Sequence, residues 1–302
     1  MVEIATKISS LSLKNPTILA SGVMDEDAGS MKRILKSGAG AVVTKSIGLK
    51  PKEGYKNPTI IELEHGILNA MGLPNPGIEN FKDELLTLRK LNQPIIGSIY
   101  GSNSRDFMFL AKKMQEYKID AVELNMSCPH AKGYGLEIGS DAKLVKEIVI
   151  NTKKSVNVPV FVKLSPNLMD IVEIAKAAEE GKADALVAIN TVKAMKIDID
   201  LKKPVLSNKV GGYSGPAIKP IGVRCVYEIS QNTNIPIIGC GGINSGKDAI
   251  EYMMAGANAV QIGSAVYYRE VDIFKKICSE IKNWMEKHNY SDIKQIIGVA
   301  HK

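Results

Sequence analysis

Three features of this 302-residue sequence carry groups able to do chemistry. The first is a cysteine, Cys128, in "ELNMSCPHAKGYG" (residues 123–135), just past an apolar run and flanked by Ser127 and Pro129. A structural cysteine more often sits inside such a run as a small hydrophobe. A thiol beside polar groups, where a strand gives way to a Gly-rich loop, suits a base or a nucleophile. The second feature is a pair of lysines within apolar, β-branched runs: Lys45 in "VVTKSI" and Lys163 in "VFVKLSP". An unpaired buried ammonium is costly. Each therefore needs negative charge, supplied either by an internal carboxylate, with Glu123 a candidate, or by an anionic ligand. The third is a pair of Gly-rich turns, "CGGINSG" (240–246) and "IGSAV" (262–266), each followed by a helical pattern. Backbone N–H groups in such turns cradle phosphate, helped by a helix N-terminus, although one such turn alone also serves packing. A further uncharged loop, "GILNAMGLPNPG" (66–77), carries Asn69, Asn75 and three glycines. It is either a plain surface turn or the wall of a pocket for a flat polar ring.

The elements that must position these groups are read from hydrophobic pattern. Short apolar runs recur at 16–22, 40–47, 93–101, 120–128, 158–166, 184–192, 235–243 and 258–266. Near-continuous apolar runs imply strands buried on both faces, as in a parallel sheet with helical crossovers. The segments between them read as amphipathic helices. Residues 104–118 place Phe107, Leu110, Ala111 and Met114 at helical spacing. Residues 167–181 end at Gly181 as a C-cap, and 245–257 start from Ser245 as an N-cap. Eight βα units predict an α/β fold of the TIM (β/α)8 barrel type, one domain over residues 1–302. A doubly wound open sheet is the alternative, but no GxGxxG follows the first strand. Residues 3–13 precede the first strand and are expected to form a hairpin closing the barrel floor. Residues 193–216 form an insertion after the sixth strand with short strand-like pieces, and a long connection on that face is usually functional.

In a TIM barrel the chemistry sits at the C-terminal ends of the strands. Here those ends carry Thr44, Lys45 and Ser46; Asn125 to Cys128; Lys163 and Ser165; Asn190 and Thr191; Gly241 and Gly242; and Gly263 and Ser264. The polar groups fall where that architecture would use them.

Composition narrows the partners. No run of about 18 apolar residues predicts a membrane span, and the N-terminus shows no secretory signal pattern. The four cysteines, Cys128, Cys225, Cys240 and Cys278, form no CxxC pair and suit neither a zinc site nor a disulfide framework. They are expected to be reduced thiols in the cytoplasm, with Cys225 and Cys278 as buried hydrophobes in helices. The net charge is +7, but the basic residues are scattered among acidic ones. Attraction of a small anion accounts for this better than nucleic-acid binding.

Taken in order, "TKSI", "NAMGLPNPG", "ELNMSCPH", "VKLSP", "AINT", "GGYSGPAIKP", "IIGCGGI" and "IGSAV" closely resemble the class 1 dihydroorotate dehydrogenases, from about Leu13 to about Tyr268. The resemblance implies a TIM barrel that holds FMN at the top of its strands and oxidises dihydroorotate to orotate in pyrimidine synthesis. It implies that Cys128 is the base that removes the C5 proton while the C6 hydride passes to flavin N5, with its loop acting as a lid. Lys45 would lie by flavin and substrate, and Lys163 by the N1–O2 edge of the flavin. Asn69, Met71, Gly72, Leu73, Asn125, Asn190 and Thr191 would hold the substrate. Ser21, Lys45, Ser46, Asn125, Lys163, Ile189, Gly215, Gly241, Gly242, Gly263 and Ser264 would bind FMN, the last four around its phosphate. No metal is implied. Many relatives carry Asn where this chain has His130, and Asn on the third strand where it has Ser98.

The stretch from Ile189 to Pro220 resembles the 1B form more than the fumarate-using 1A form. That form implies a homodimer of this chain within a heterotetramer, with a second subunit carrying FAD and a [2Fe–2S] cluster and passing electrons to NAD+. This chain has no Rossmann fingerprint and no cluster-type cysteine spacing, so another chain would have to handle NAD+. Three other readings predict different behaviour. A related FMN barrel would act on dihydrouracil, a non-flavin aldolase or isomerase would form a Schiff base on a strand lysine, and a non-catalytic barrel would need no buried charges.

Overall fold

The computed structural model describes residues 2–126 and 136–302. Cys128 and His130, and with them the expected lid, lie outside the described residues.

The strands in chain order are β1 (Thr6–Ile8), β2 (Leu11–Leu13), β3 (Thr17–Leu19), β4 (Ala41–Val43), β5 (Ile60–Leu63), β6 (Gly66–Asn69), β7 (Ile95–Ile99), β8 (Ala121–Asn125), β9 (Val160–Leu164), β10 (Ala185–Ala188), β11 (Val192–Ala194), β12 (Ile197–Asp198), β13 (Lys203–Pro204), β14 (Gly211–Ser214), β15 (Ile237–Cys240) and β16 (Ala259–Ile262). The helices are α1 (Ala28–Lys36), α2 (Lys82–Arg89), α3 (Ser104–Glu116), α4 (Leu136–Gly139), α5 (Ala142–Ser155), α6 (Ile171–Glu180), α7 (Lys219–Ser230), α8 (Gly246–Met254), α9 (Ala265–Arg269) and α10 (Ile273–Lys287). All eight apolar runs became parallel strands of one closed barrel, in the order β3, β4, β7, β8, β9, β10, β15, β16 and back to β3. The open-sheet alternative is thereby excluded.

Strand side chains alternate between two faces, and the barrel uses the alternation to sort chemistry. The outward set, including Val122, Leu124, Val160, Val162, Val260 and Ile262, packs in one core with the surrounding helices. The inward set changes character along the strands. Low in the barrel it is apolar: Ile18, Val43, Ile96, Phe161, Val187 and Ile238 form a second core. Two residues further up, the same face carries Ser98, Glu123, Lys163, Cys240 and Gln261. Continuous hydrophobicity was therefore the correct signal for two-faced burial, and the polar residues interrupting it mark the inward face near the top.

The predicted floor is present. β1 and β2 pair as an antiparallel hairpin, and Ile8, Leu11 and Leu13 join the inward core from below. The helix starts are capped: Asn103, Asp141, Asp170 and Ser245 each accept backbone N–H bonds from the first turn. Residues 167–170 do not join α6 as the pattern predicted. Asn167 instead bonds Ser165 and the Thr191 carbonyl, holding this stretch against the neighbouring strand end.

The insertion is structured as expected, but it does not act alone. β14 pairs with β11 and with β6, and β6 pairs with β5, giving a four-stranded antiparallel sheet. The first four residues of the stretch read as a loop at 66–77 are thus strand, and residues 60–63 form a strand the pattern did not predict. Leu68, Ala70 and Leu206 give this sheet its own small core. Among the described residues, no helix is long and apolar enough to cross a membrane.

Candidate active site

The tops of the barrel strands and the antiparallel sheet enclose a cavity of about 320 Å³. Of the residues singled out from sequence, Ser21, Lys45, Ser46, Asn69, Met71, Gly72, Leu73, Asn125, Lys163, Ile189, Asn190, Thr191, Gly241, Gly242, Gly263 and Ser264 all line it. Gly215 does not. A Cβ there would lie 2.7 Å from Gly66 Cα, its carbonyl adjoins the lining residue Gly242, and its neighbour Ser214 lines the cavity.

At the base of the cavity Lys163 is almost fully buried. Its Nζ donates to Gln261 Oε1 at 2.8 Å and lies 3.9 Å from Glu123 Oε1. Burial alone would depress this ammonium, but Cys240, Glu123 and Asp25 around it hold it above the usual lysine range. Burial pushes the Cys240 thiol up, against the lowering effect of Lys163. The internal-carboxylate explanation for Lys163 therefore holds in part, and the lysine also faces the cavity.

Lys45 is different. Its Nζ pairs with Glu26 Oε1 at 2.6 Å, and Glu26 is two-thirds exposed at the cavity's open side. The Lys45 side chain is largely buried, but its exposed, well-solvated partner holds it weakly, so an anion entering the cavity can compete with Glu26 for Lys45.

A short polar chain runs along one wall. Asn125 Nδ2 donates to Ser46 Oγ at 2.9 Å, and the Ser46 hydroxyl shares hydrogen bonds with those of Ser98 (2.8 Å) and Ser21 (3.3 Å). Ser98 is fully buried and supports Ser46 from behind rather than lining the cavity. Asp25, which sequence reasoning missed, is buried beneath the same wall and accepts the Gly22 N–H at 2.5 Å. Burial raises its pKa against the lowering effect of that bond and of Lys45.

Opposite, Asn190 Oδ1 accepts the Thr191 N–H at 2.8 Å. Thr191 sits so close to the antiparallel sheet that any side chain at Gly212 would strike its Oγ1. Asn69 Nδ2 donates to the Gly212 carbonyl at 3.3 Å, a bond between neighbouring strands of that sheet that fixes the Asn69 side chain at the cavity.

The Gly-rich turns close the remaining side. Tyr252 is buried beneath them and its hydroxyl donates to the Gly241 carbonyl at 2.7 Å, fixing the first turn. Gly263 is informative. Its backbone conformation is open to any residue, and a Cβ built there meets nothing nearer than Ala20 Cβ at 3.6 Å. Neither fold geometry nor packing demands glycine at this position. Bare backbone facing a cavity suits close approach by a ligand, as in a phosphate cradle. The helix after this turn, α9, has only five residues, so backbone N–H groups and the Ser264 hydroxyl, rather than a macrodipole, are the donors available.

Gln261, Cys240 and Glu26 also line the cavity and were missed. Gln261 interrupts the apolar run "NAVQIGSAV", the same signal that marked the two lysines.

A family model for dihydroorotate dehydrogenase matches residues 3–285 of this chain. Among curated proteins, the "Dihydroorotate dehydrogenase B (NAD(+)), catalytic subunit" of Methanocaldococcus jannaschii is 54% identical over 300 residues, covering 98% of this chain and 97% of the relative. The protein of the same description from Thermoplasma acidophilum is 52% identical, covering 99% of each. That from Pyrococcus furiosus is 49% identical over the full length of both.

Proposed function

This chain belongs to the dihydroorotate dehydrogenase family, as an enzyme of its NAD-linked B type, and from that premise we propose that it oxidises dihydroorotate to orotate with FMN held in the cavity at the top of the barrel. The observation that carries the FMN reading is the cavity's division of labour. A bare-backbone cradle at Gly241, Gly242, Gly263 and Ser264 lies on one side, and the buried cation Lys163 lies at the base. The donor set fits: a phosphate needs N–H and hydroxyl donors, and an electron-rich ring edge is served by a fixed ammonium.

FMN, when bound, supplies the hydride acceptor for C6 of dihydroorotate. Lys163 presents its charge to the pyrimidine edge of the flavin. Asn69, Asn125, Asn190 and Thr191, with the backbone of Met71, Gly72 and Leu73, hold the substrate ring; amides can both donate to and accept from its ring amides. Lys45 exchanges Glu26 for the substrate's negative charge. Cys128, three residues beyond Asn125, takes the C5 proton. Ser21, Ser46 and Ile189 shape the flavin side of the cavity.

In this reading a separate subunit carrying FAD and a [2Fe–2S] cluster would pass the electrons on to NAD+. The names of the relatives support the NAD+ link and the existence of a further subunit, since each is the catalytic subunit of an NAD(+)-linked enzyme. Two copies of this chain and two of the partner make up the assembly in this reading, working in the cytoplasm.

An anaerobic absorbance scan of the chain alone tests the proposal. Bound flavin should bleach on addition of dihydroorotate, and NAD+ should fail to restore it without the partner. A flavin that dihydrouracil bleaches and dihydroorotate does not would replace the substrate assignment. Gly263→Val tests the cradle. It should leave the melting temperature unchanged, since the position is open, and weaken FMN binding about tenfold or more, the equivalent of ~1.4 kcal/mol. Undiminished FMN affinity would remove Gly263 from the cofactor site.

A further inference from the structure

Beneath the cavity, one hydrogen bond crosses the barrel from side to side. Gln261 Nε2 donates to Glu123 Oε2 at 2.5 Å, and the two residues lie on β16 and β8. In the eight-strand ring those strands are four positions apart, so they face each other across the interior. Glu123 is fully buried, and its second oxygen, Oε1, has no hydrogen-bond partner among the described residues. A buried carboxylate with an open oxygen is costly, and the cation within reach of it is Lys163 at 3.9 Å. The carboxylate can only accept, so it fixes the Gln261 amide with its nitrogen toward Glu123 and its oxygen toward Lys163. The amide oxygen accepts from Lys163 Nζ at 2.8 Å. The flipped amide would set donor against donor at the lysine.

We propose that Glu123 and Gln261 form a crossbar that positions the Lys163 ammonium at the cavity base and keeps it charged there. Both are then positioning residues for the flavin chemistry, an inference that rests on the FMN reading above. Gln261 keeps lysine and carboxylate from collapsing into a direct pair, so the ammonium stays turned toward the ligand while Glu123 opposes its desolvation. The other groups facing Lys163 are the Cys240 thiol and the Asp25 carboxylate. Among the described residues, Gln261 is the hydrogen-bond acceptor for its ammonium.

The test uses Glu123→Gln, which keeps a hydrogen-bonding side chain of the same shape and removes the charge, and Gln261→Met, which keeps the volume and removes the bridge. In the cofactor-free chain, the Lys163 titration is followed by NMR of 13C-labelled lysine. Burial depresses an ammonium and Glu123 opposes this, so Glu123→Gln should titrate at lower pH than wild type. An unmoved titration overturns the crossbar, whatever the flavin does. In the FMN-loaded chain, sulfite, which binds oxidised flavin and is favoured by positive charge at the pyrimidine edge, is the probe. Its affinity in Glu123→Gln should fall as pH rises through the lowered lysine value, while wild type keeps its lysine charged over the same window. In Gln261→Met, collapse of Lys163 onto Glu123 should weaken sulfite binding about tenfold at every pH, in line with the loss of one charge-assisted hydrogen bond. If Gln261→Met does not fold, the Glu123→Gln profile decides alone. Sulfite affinity that matches wild type in Glu123→Gln at every pH overturns the positioning role. A chain that takes up no FMN refutes the cofactor reading instead, and the NMR titration still decides the crossbar.

Discussion

Cys128→Ala is expected to retain FMN and to be reduced by dihydroorotate about 10² to 10⁴-fold more slowly, the usual contribution of a positioned general base. The expectation rests on the "NMSCP" resemblance and on the place of Cys128 three residues after Asn125, which lines the cavity. A thiol removes a proton only as its thiolate, whose ordinary pKa is near 8.5. The wild-type reduction rate should therefore rise with pH through the thiol's titration and level off above it. The alanine variant should lose that limb of the profile. Anaerobic stopped-flow reduction across pH measures both. Reduction of the variant at near wild-type rate would remove Cys128 from the role of base, and a slow variant that kept the same pH limb would assign the limb to another group.

Lys163→Met is expected to act twice. Loss of a fixed charge aimed at developing negative charge slows reduction by roughly 10² to 10³-fold. Loss of the cation beside Glu123 leaves a fully buried carboxylate with no ammonium near it among the described residues, which costs about 3–5 kcal/mol of stability. The two effects separate in the double variant Lys163→Met/Glu123→Gln, in which the uncompensated charge is gone. Its melting temperature should return most of the way to wild type while reduction stays slow. Unchanged flavin content together with an unchanged reduction rate in the single variant would refute a role for Lys163 in the chemistry. Recovery of the rate in the double variant would make that role structural.

Much of the site was legible before any coordinate, and for a local reason. A polar residue that interrupts an apolar strand run is visible in one dimension, as Lys163 is in "VFVKLSP" and Asn125 in "VELNM". The barrel rule then puts strand ends together, and the cavity lining agrees at sixteen positions named above. What local pattern did not show lies at the antiparallel sheet over the barrel. Gly215, assigned to the site by resemblance, lies just past the end of β14 and beside the lining residue Gly242 rather than in the cavity lining itself. The strand Ile60–Leu63 was not anticipated; it is four residues long, lies outside the barrel alternation and is held by its pairing with β6.

By itself, the sequence determined the architecture: eight buried strands, a hairpin before them and an insertion after the sixth, since these follow from periodicity along the chain. It also determined which residues had to find partners, because a buried ammonium announces its own cost wherever it ends up. Only the tertiary structure decided who those partners are. Lys45 went to Glu26, nineteen positions away, and Lys163 to Gln261, 98 positions away. Gln261 in turn reached Glu123 across 138 positions. That last contact exists because the sheet closes, bringing β16 opposite β8. Closure is a property of all eight strands at once, and no local stretch of sequence contains it.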